Sequence, residues 1–511
     1  MSAVAVSRAS MGGGLPLYGL LNAAFLLLVA LGMVWGHLDA AHPVYLVLLF
    51  ALCSSAVCGM RQLNDRQVYL LLFSVIYFLF YGLMDVVRLL TGSAGPAAPS
   101  GLFDKAELVI LAGGVLAHVG YRVVQLAPAA ARRGAPGDWS ERTLVSVGLL
   151  LWTVCTWLSW EFKVHVIVST AGADIQRGLA GLGGWETSAF ILGIMLQPLG
   201  LLMLAYAQSR FQRAYLTPLL IAVVVFQFAF GFIVDVKGDA LMGAVLVILV
   251  KLLTQGRVPR MWLVVIGVSV ALAFPVLQAN RVVRGESGMD RTAAAQNVVQ
   301  VLKKAVATSR QASSANFRPE SFFERLSLKT SVELIVSRTG KDVAFQDGYT
   351  LSPLLTAFIP RLIWPDKPDV QTGRVMNEAF QVSEQAETYI SPSHLGELYW
   401  NFGWSGALGG MFLIGALLGI IGRCCDLSEA VTLTRVMIAA VTMQALVLGF
   451  ESTIAAQYVV WMRSMLAIGL LHLVLARRSG AESSEAGDQT GNGSPRPDAM
   501  SAAVPFPNLM R

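Results

Sequence analysis

The chain has 511 residues, of which 55% are hydrophobic and only 14% charged, with 38 basic and 32 acidic side chains and a net charge of +6. An average soluble protein carries about 25% charge, whereas here apolar runs of about 20 residues, each long enough to cross a hydrocarbon core of roughly 30 Å, recur about a dozen times. That excludes a soluble enzyme, a secreted disulfide module, a fibrous protein and a disordered chain, and predicts an all-α polytopic membrane protein of about 12 transmembrane helices.

In chain order the spans are expected near residues 15–35, 43–60, 67–90, 106–125, 143–162, 187–207, 215–235, 239–253, 261–279, 398–422, 431–450 and 454–476. The first run is too long for a signal-peptide core and reads as an uncleaved span. One set of alternating loops holds Arg61, Arg66, Arg132, Arg133, Arg210 and Arg213, while the opposite short loops hold little beyond Lys105, Arg177 and Lys237. The excess of basic residues marks the first set as cytoplasmic, with both termini inside. The organisation expected is a membrane bundle of spans 1 to 9 over 1–279, a large partly helical outer loop over 280–393, spans 10 to 12 over 394–476, and a disordered cytoplasmic tail over 477–511. None of the five cysteines, Cys53, Cys58, Cys155, Cys424 and Cys425, falls in the outer loop, so no disulfide framework is implied there.

The outer loop has a pattern of its own. Val298, Leu302 and Val306 recur at helical spacing, and Pro319 opens a second helical pattern with Phe322, Leu326, Val332 and Ile335 pointing inward. Gly340 and Gly348 mark turns. The apolar stretch from Tyr349 to Trp364, interrupted by Pro353 and Pro360, is too short to span and is expected at the membrane surface or re-entering it. A polar helix follows over Gly373–Glu387, and Ser393 is placed to cap the tenth span.

Ionisable residues in or beside spans crowd the outer ends: Asp85, Arg88, Glu161, Asp235, Glu397 and Glu451 among them. Charges inside a bundle pair or line a polar cavity, so a cavity open to the outer face is expected. Arg281 and Arg284 lie one helical turn apart where the ninth span ends, and Arg361, Lys367 and Arg374 flank a Pro-rich turn. Together with Arg463, deeper in the last span, these cations are candidates to hold a phosphate or pyrophosphate, since guanidinium groups bind such anions through paired hydrogen bonds. His394 and Glu397 share one face at the mouth of the tenth span, and either is a candidate to take a proton from an attacking hydroxyl. No nucleotide or metal motif stands in the sequence, so no cofactor, no metal and no nucleic acid is expected.

The run FIPRLIWPDKP, from Phe358 to Pro368, followed by SHLGELYWNFGWSGALGG, from Ser393 to Gly410, resembles the oligosaccharide repeat-unit polymerases of the O-antigen polymerase (Wzy) type. The resemblance implies a bacterial inner-membrane glycosyltransferase that joins polyprenyl-pyrophosphate-linked oligosaccharide repeat units on the periplasmic face, in O-antigen, capsule or exopolysaccharide synthesis. By position it assigns the lipid pyrophosphate to Arg281, Arg284, Arg361 and Arg374, and it makes the lipid bilayer, a chain-length regulator and a flippase the candidate partners. The third outer loop offers only Arg177 and departs from the family's two arginine-bearing loops. An O-antigen ligase-like transferase and a flippase for the same lipids are the alternative readings.

Overall fold

The computed structural model describes residues 14–34, 42–58, 65–92, 103–127, 139–169, 184–233, 237–257, 326–356, 372–382, 391–428 and 431–488, with a few single positions between them. Helices α1 (Gly14–Val34), α2 (Pro43–Ser54), α3 (Val68–Tyr81), α4 (Leu83–Thr91), α5 (Lys105–Leu126), α6 (Glu141–Ser169), α7 (Gly184–Phe211), α8 (Leu216–Ile233) and α9 (Lys237–Gln255) precede the outer segment. Within that segment stand α10 (Lys329–Arg338) and α11 (Thr372–Phe380), and after it α12 (Ser393–Cys424), α13 (Leu433–Thr442) and α14 (Ile454–Asp488). Among the described residues the secondary structure is helical apart from one isolated bridge, Thr339 with Val343. The backbone divides into a unit ending at Ile468 and a second beginning at Gly469.

Among the described residues, seven helical stretches are long and apolar enough to cross a membrane: Pro16–Val34, Lys105–Leu126, Glu141–Ser159, Leu192–Phe211, Ser393–Cys424, Leu433–Glu451 and Ile454–Leu473. The pair α3 and α4, bent by 46°, makes an eighth if it is one span. This is fewer than the twelve expected. The apolar stretches Pro43–Val57, Leu216–Ala229 and Leu241–Gln255 are helical but shorter than the ~20 residues of a straight crossing, and most of the expected ninth span lies outside the described residues. Leu20, Leu27, Leu413 and Leu466 are exposed on helix faces, as they are where hydrocarbon rather than water is the solvent. The tail expected to be disordered from 477 continues α14 as far as Asp488. Residues 479–488 contain no proline and include two pairs favourable to helix, Ala481 with Glu482 and Glu485 with Ala486, which sustain the helix past its apolar part.

Helix α12 lies along α5, and glycine makes the approach possible. A Cβ at Gly415 would stand 1.9 Å from the Ala117 carbonyl oxygen, and one at Gly120 2.1 Å from that of Phe412, so a side chain at either position would force the helices apart. Ala117 meets Gly415 and Tyr121 meets Gly419; residue numbers rise together along the two helices, so they run parallel and their N-termini share one end of the bundle.

Three irregularities cluster at that end. At Gly82 the chain bends between α3 and α4, and there the Phe80 carbonyl accepts from the Leu328 N–H at 3.0 Å while the Tyr81 carbonyl accepts from the Tyr45 hydroxyl at 2.8 Å. Helix α12 is broken at Phe402 and Gly403, where Gly403 takes φ 63°, a left-handed conformation that glycine adopts without cost. Between α13 and α14 the chain passes through a π turn, Met443–Val447, and a 3-10 turn, Leu448–Glu451. Non-helical backbone at membrane depth survives only where protein or a polar cavity supplies its hydrogen bonds. Here the outer segment supplies part of them: Gln346 and Asp347 N–H donate to the Trp400 and Asn401 carbonyls at 3.1 and 3.3 Å.

Candidate functional site

Two polar centres occupy this end. The first forms around Lys329, the first residue of α10, which points into the bundle with Val332 and Val336 on the same helical face. Its ammonium donates to Asp85 Oδ2 at 2.5 Å and Glu107 Oε1 at 2.7 Å, and stands 4.6 Å over the Tyr45 ring. Three N–H groups thus find two carboxylates and a π face. Glu107 Oε2 in turn meets His42 Nδ1 at 2.5 Å and the Asp104 N–H at 3.1 Å, and Asp85 Oδ1 lies 3.4 Å from Arg88. Asp85 and Glu107 are buried. Burial by itself would lower the Lys329 ammonium, but the Asp85 and Glu107 carboxylates outweigh it and hold the group above the ordinary lysine value.

The loop alternation expected from the sequence puts the start of α2, the end of α4, the start of α5 and the segment holding α10 on one side of a membrane. His42, Asp85, Glu107 and Lys329, one from each, meet in one cluster. The ligand atoms of His42, Asp104 and Glu107 lie within 4.8 Å of one another. That donor set is already engaged, because Asp104 and Glu107 form a capping box at the head of α5 and an ammonium is bonded to Glu107. A divalent cation would have to displace the His42–Glu107 bond beside a fixed positive charge, so the cluster is an ion-pair network.

The second centre lies at the head of α12. Ser393 was expected as the cap of this helix; Pro392 holds that position and Ser393 is the first helical residue, its Oγ accepting from the Gly396 N–H at 3.3 Å and bonding Tyr81 Oη at 3.0 Å. His394 and Glu397 are both completely buried. His394 Nδ1 bonds the Phe450 carbonyl at 2.8 Å, its ring stacked on the Phe450 ring at 4.9 Å. Glu397 Oε2 accepts from the Ile454 N–H at 2.6 Å, at the first residue of α14, where a carboxylate complements the helix dipole. Asn401 closes the far side, donating to Thr350 Oγ1 at 2.7 Å and accepting from the Gly348 N–H at 2.9 Å. Ser391 Oγ donates to the Glu451 carbonyl.

Sequence reasoning placed His394 and Glu397 together at the mouth of this span, and both bond the short stretch that leads into α14, His394 at the Phe450 carbonyl and Glu397 at the Ile454 N–H. Of the candidate anion ligands, Arg281, Arg284, Arg361 and Lys367 lie outside the described residues. Arg374 is exposed on α11 and pairs with Glu378, one turn on, at 3.1 Å. Arg463 is half-buried in α14. Lys329, Glu107 and Tyr458 were not singled out. Lys329 carried a signal, since it stands at helical spacing from Val332 and Val336 and so lies on the buried face. Glu107 carried one too, the Asp-x-x-Glu pattern of a capping box.

Comparison with curated proteins and with solved structures returns no match. A family model described as a domain of unknown function, DUF8712, matches residues 184–479. The matched region contains Lys329, His394, Glu397 and all of α12, while His42, Asp85 and Glu107 lie before it. More than half of the chain is covered, and the chain belongs to the DUF8712 family.

Proposed function

We propose that this protein is a metal-independent glycosyltransferase of the polysaccharide-polymerase kind, joining polyprenyl-pyrophosphate-linked oligosaccharides at the periplasmic face of a bacterial inner membrane. The short apolar helices and residues 261–279 bring the crossings to twelve, with both termini cytoplasmic, as the basic loops require. The observation that carries the reading is the buried pair His394 and Glu397 at the head of α12, within the run resembling the polymerases and beneath the outer segment.

In the reaction a hydroxyl of the incoming unit attacks the anomeric carbon of the growing chain. The new C–O bond forms as the bond from that carbon to the pyrophosphate oxygen breaks, the electron pair leaves with polyprenyl pyrophosphate, and the hydroxyl proton passes to His394 or Glu397. Pyrophosphate is a good leaving group, so the remaining task is to hold its charge in a poorly hydrated site. Arg281, Arg284, Arg361 and Arg374 are the residues proposed for it, with Lys367 and Arg463 as further cations.

Incubating the purified protein with a lipid-linked repeat unit tests this. Longer lipid-linked products and free polyprenyl pyrophosphate, formed in excess chelator, are expected, and Arg281→Ala, Arg284→Ala and Arg361→Ala should each reduce them strongly. Transfer only onto lipid A would make the protein a ligase. Trapping of the unit on the cytoplasmic leaflet of a deletion strain would make it a flippase.

A further inference from the structure

His394 is fixed as one tautomer by its surroundings. The Phe450 carbonyl is an acceptor only, so the 2.8 Å contact requires the proton on Nδ1, and the neutral ring then presents a bare lone pair at Nε2. Nε2 is buried and finds no hydrogen-bond partner among the described residues. Tyr458, on the first turn of α14 after Ile454, presents its ring 5.8 Å from that of His394, and its buried hydroxyl also finds no partner. One acceptor and one rotatable donor thus stand on neighbouring rings, and Glu397 Oε1, close by on α12, is a further buried acceptor without a partner among the described residues.

Buried polar atoms are almost always paired, and the chemistry of this pair selects its ligand. An apolar group would leave both atoms unpaired, an ammonium cannot accept from the phenol, and an anion would meet the Nε2 lone pair with no cation beside it. A hydroxyl donates and accepts at once and suits both. We propose that His394 Nε2 and Tyr458 Oη bind one sugar hydroxyl, that of the unit accepting the growing chain, which donates to the imidazole and accepts from the phenol. This rests on the polymerase reading above. His394 is then the base, and Tyr458 is a binding residue that orients the nucleophile.

The test uses the full-length protein in lipid nanodiscs, labelled with ¹⁵N-histidine, with the His394 signals assigned by their loss in His394→Gln. The probe is a polyprenyl-pyrophosphate-linked repeat unit. Without probe, Nε2 should give the resonance of an unprotonated ring nitrogen, and the probe should shift it. Tyr458→Phe, which removes only the hydroxyl, should reduce the shift and raise KM for the unit about tenfold, the loss of one hydrogen bond, while His394→Gln slows elongation by about 10²–10⁴-fold. An unmoved Nε2 resonance at probe concentrations that sustain elongation overturns the proposal. So does a wild-type KM in Tyr458→Phe, because the pair would then hold an internal water only. A shift without elongation keeps the binding site and overturns the polymerase reading.

Discussion

The two polar centres share one end of the bundle and are joined through Tyr81, whose carbonyl accepts from Tyr45 and whose hydroxyl meets Ser393. Around Lys329 the hydrogen-bonding capacity is spent: two carboxylates, a histidine, a helix cap and a ring face surround one ammonium. At the head of α12 it is not, because His394 Nε2, Glu397 Oε1 and Tyr458 Oη find no partner among the described residues. A closed set of this kind fixes one segment to another and resists rearrangement. An incompletely satisfied one is kept where something else supplies the missing partner. Lys329 therefore docks residues 326–356 onto the spans, and the unpartnered atoms beside His394 are where chemistry is to be sought.

The largest expected effect comes from opening the closed centre. Lys329→Met would leave Asp85 and Glu107 buried without their cation, which for a buried pair costs about 3–5 kcal/mol, and thermal unfolding in detergent should show a large drop together with poor accumulation. Adding Asp85→Asn to Lys329→Met removes one of the stranded charges and should recover part of that loss. Equal stabilities for the single and double variants would mean that the two groups do not depend on each other.

The open centre should respond in activity more than in stability. Glu397 is engaged with the Ile454 N–H, and glutamine keeps an acceptor there, so Glu397→Gln should slow elongation less than about tenfold and destabilise by only about 1 kcal/mol, a typical net hydrogen bond. A loss of about 10² or more in elongation rate would transfer the role of base from His394 to Glu397.

The smallest effect is expected outside both centres. Arg374 pairs with Glu378 on an exposed face, an interaction worth about 0.2–0.5 kcal/mol, so Arg374→Ala should leave the unfolding temperature unchanged within error. A raised KM for the lipid-linked donor in the same variant would show that the arginine serves the pyrophosphate, and an unchanged KM would leave it as a surface pair.

Local chemistry made much of this readable without coordinates. Among the described residues the apolar runs of the expected spans fall on helices, Val332 and Ile335 are buried as their spacing requires, and Gly340 and Gly348 take positive φ at the turns where glycine was read as punctuation. α12 starts at Ser393, whose Oγ accepts from the Gly396 N–H, since a helix start is decided largely by the residues of its own first turn. What the sequence by itself determined is the set of properties decided within a few residues: which stretches are apolar, where helices start and turn, and that His394 and Glu397 share a face. Tertiary structure decided the partners. Lys329 meets Asp85 from 244 residues away in the chain and Glu107 from 222, and His394 meets the Phe450 carbonyl 56 residues on. Nothing in the spacing of residues so far apart specifies contact, because it depends on which helices pack, in what direction, and on the glycines that let α5 and α12 close together.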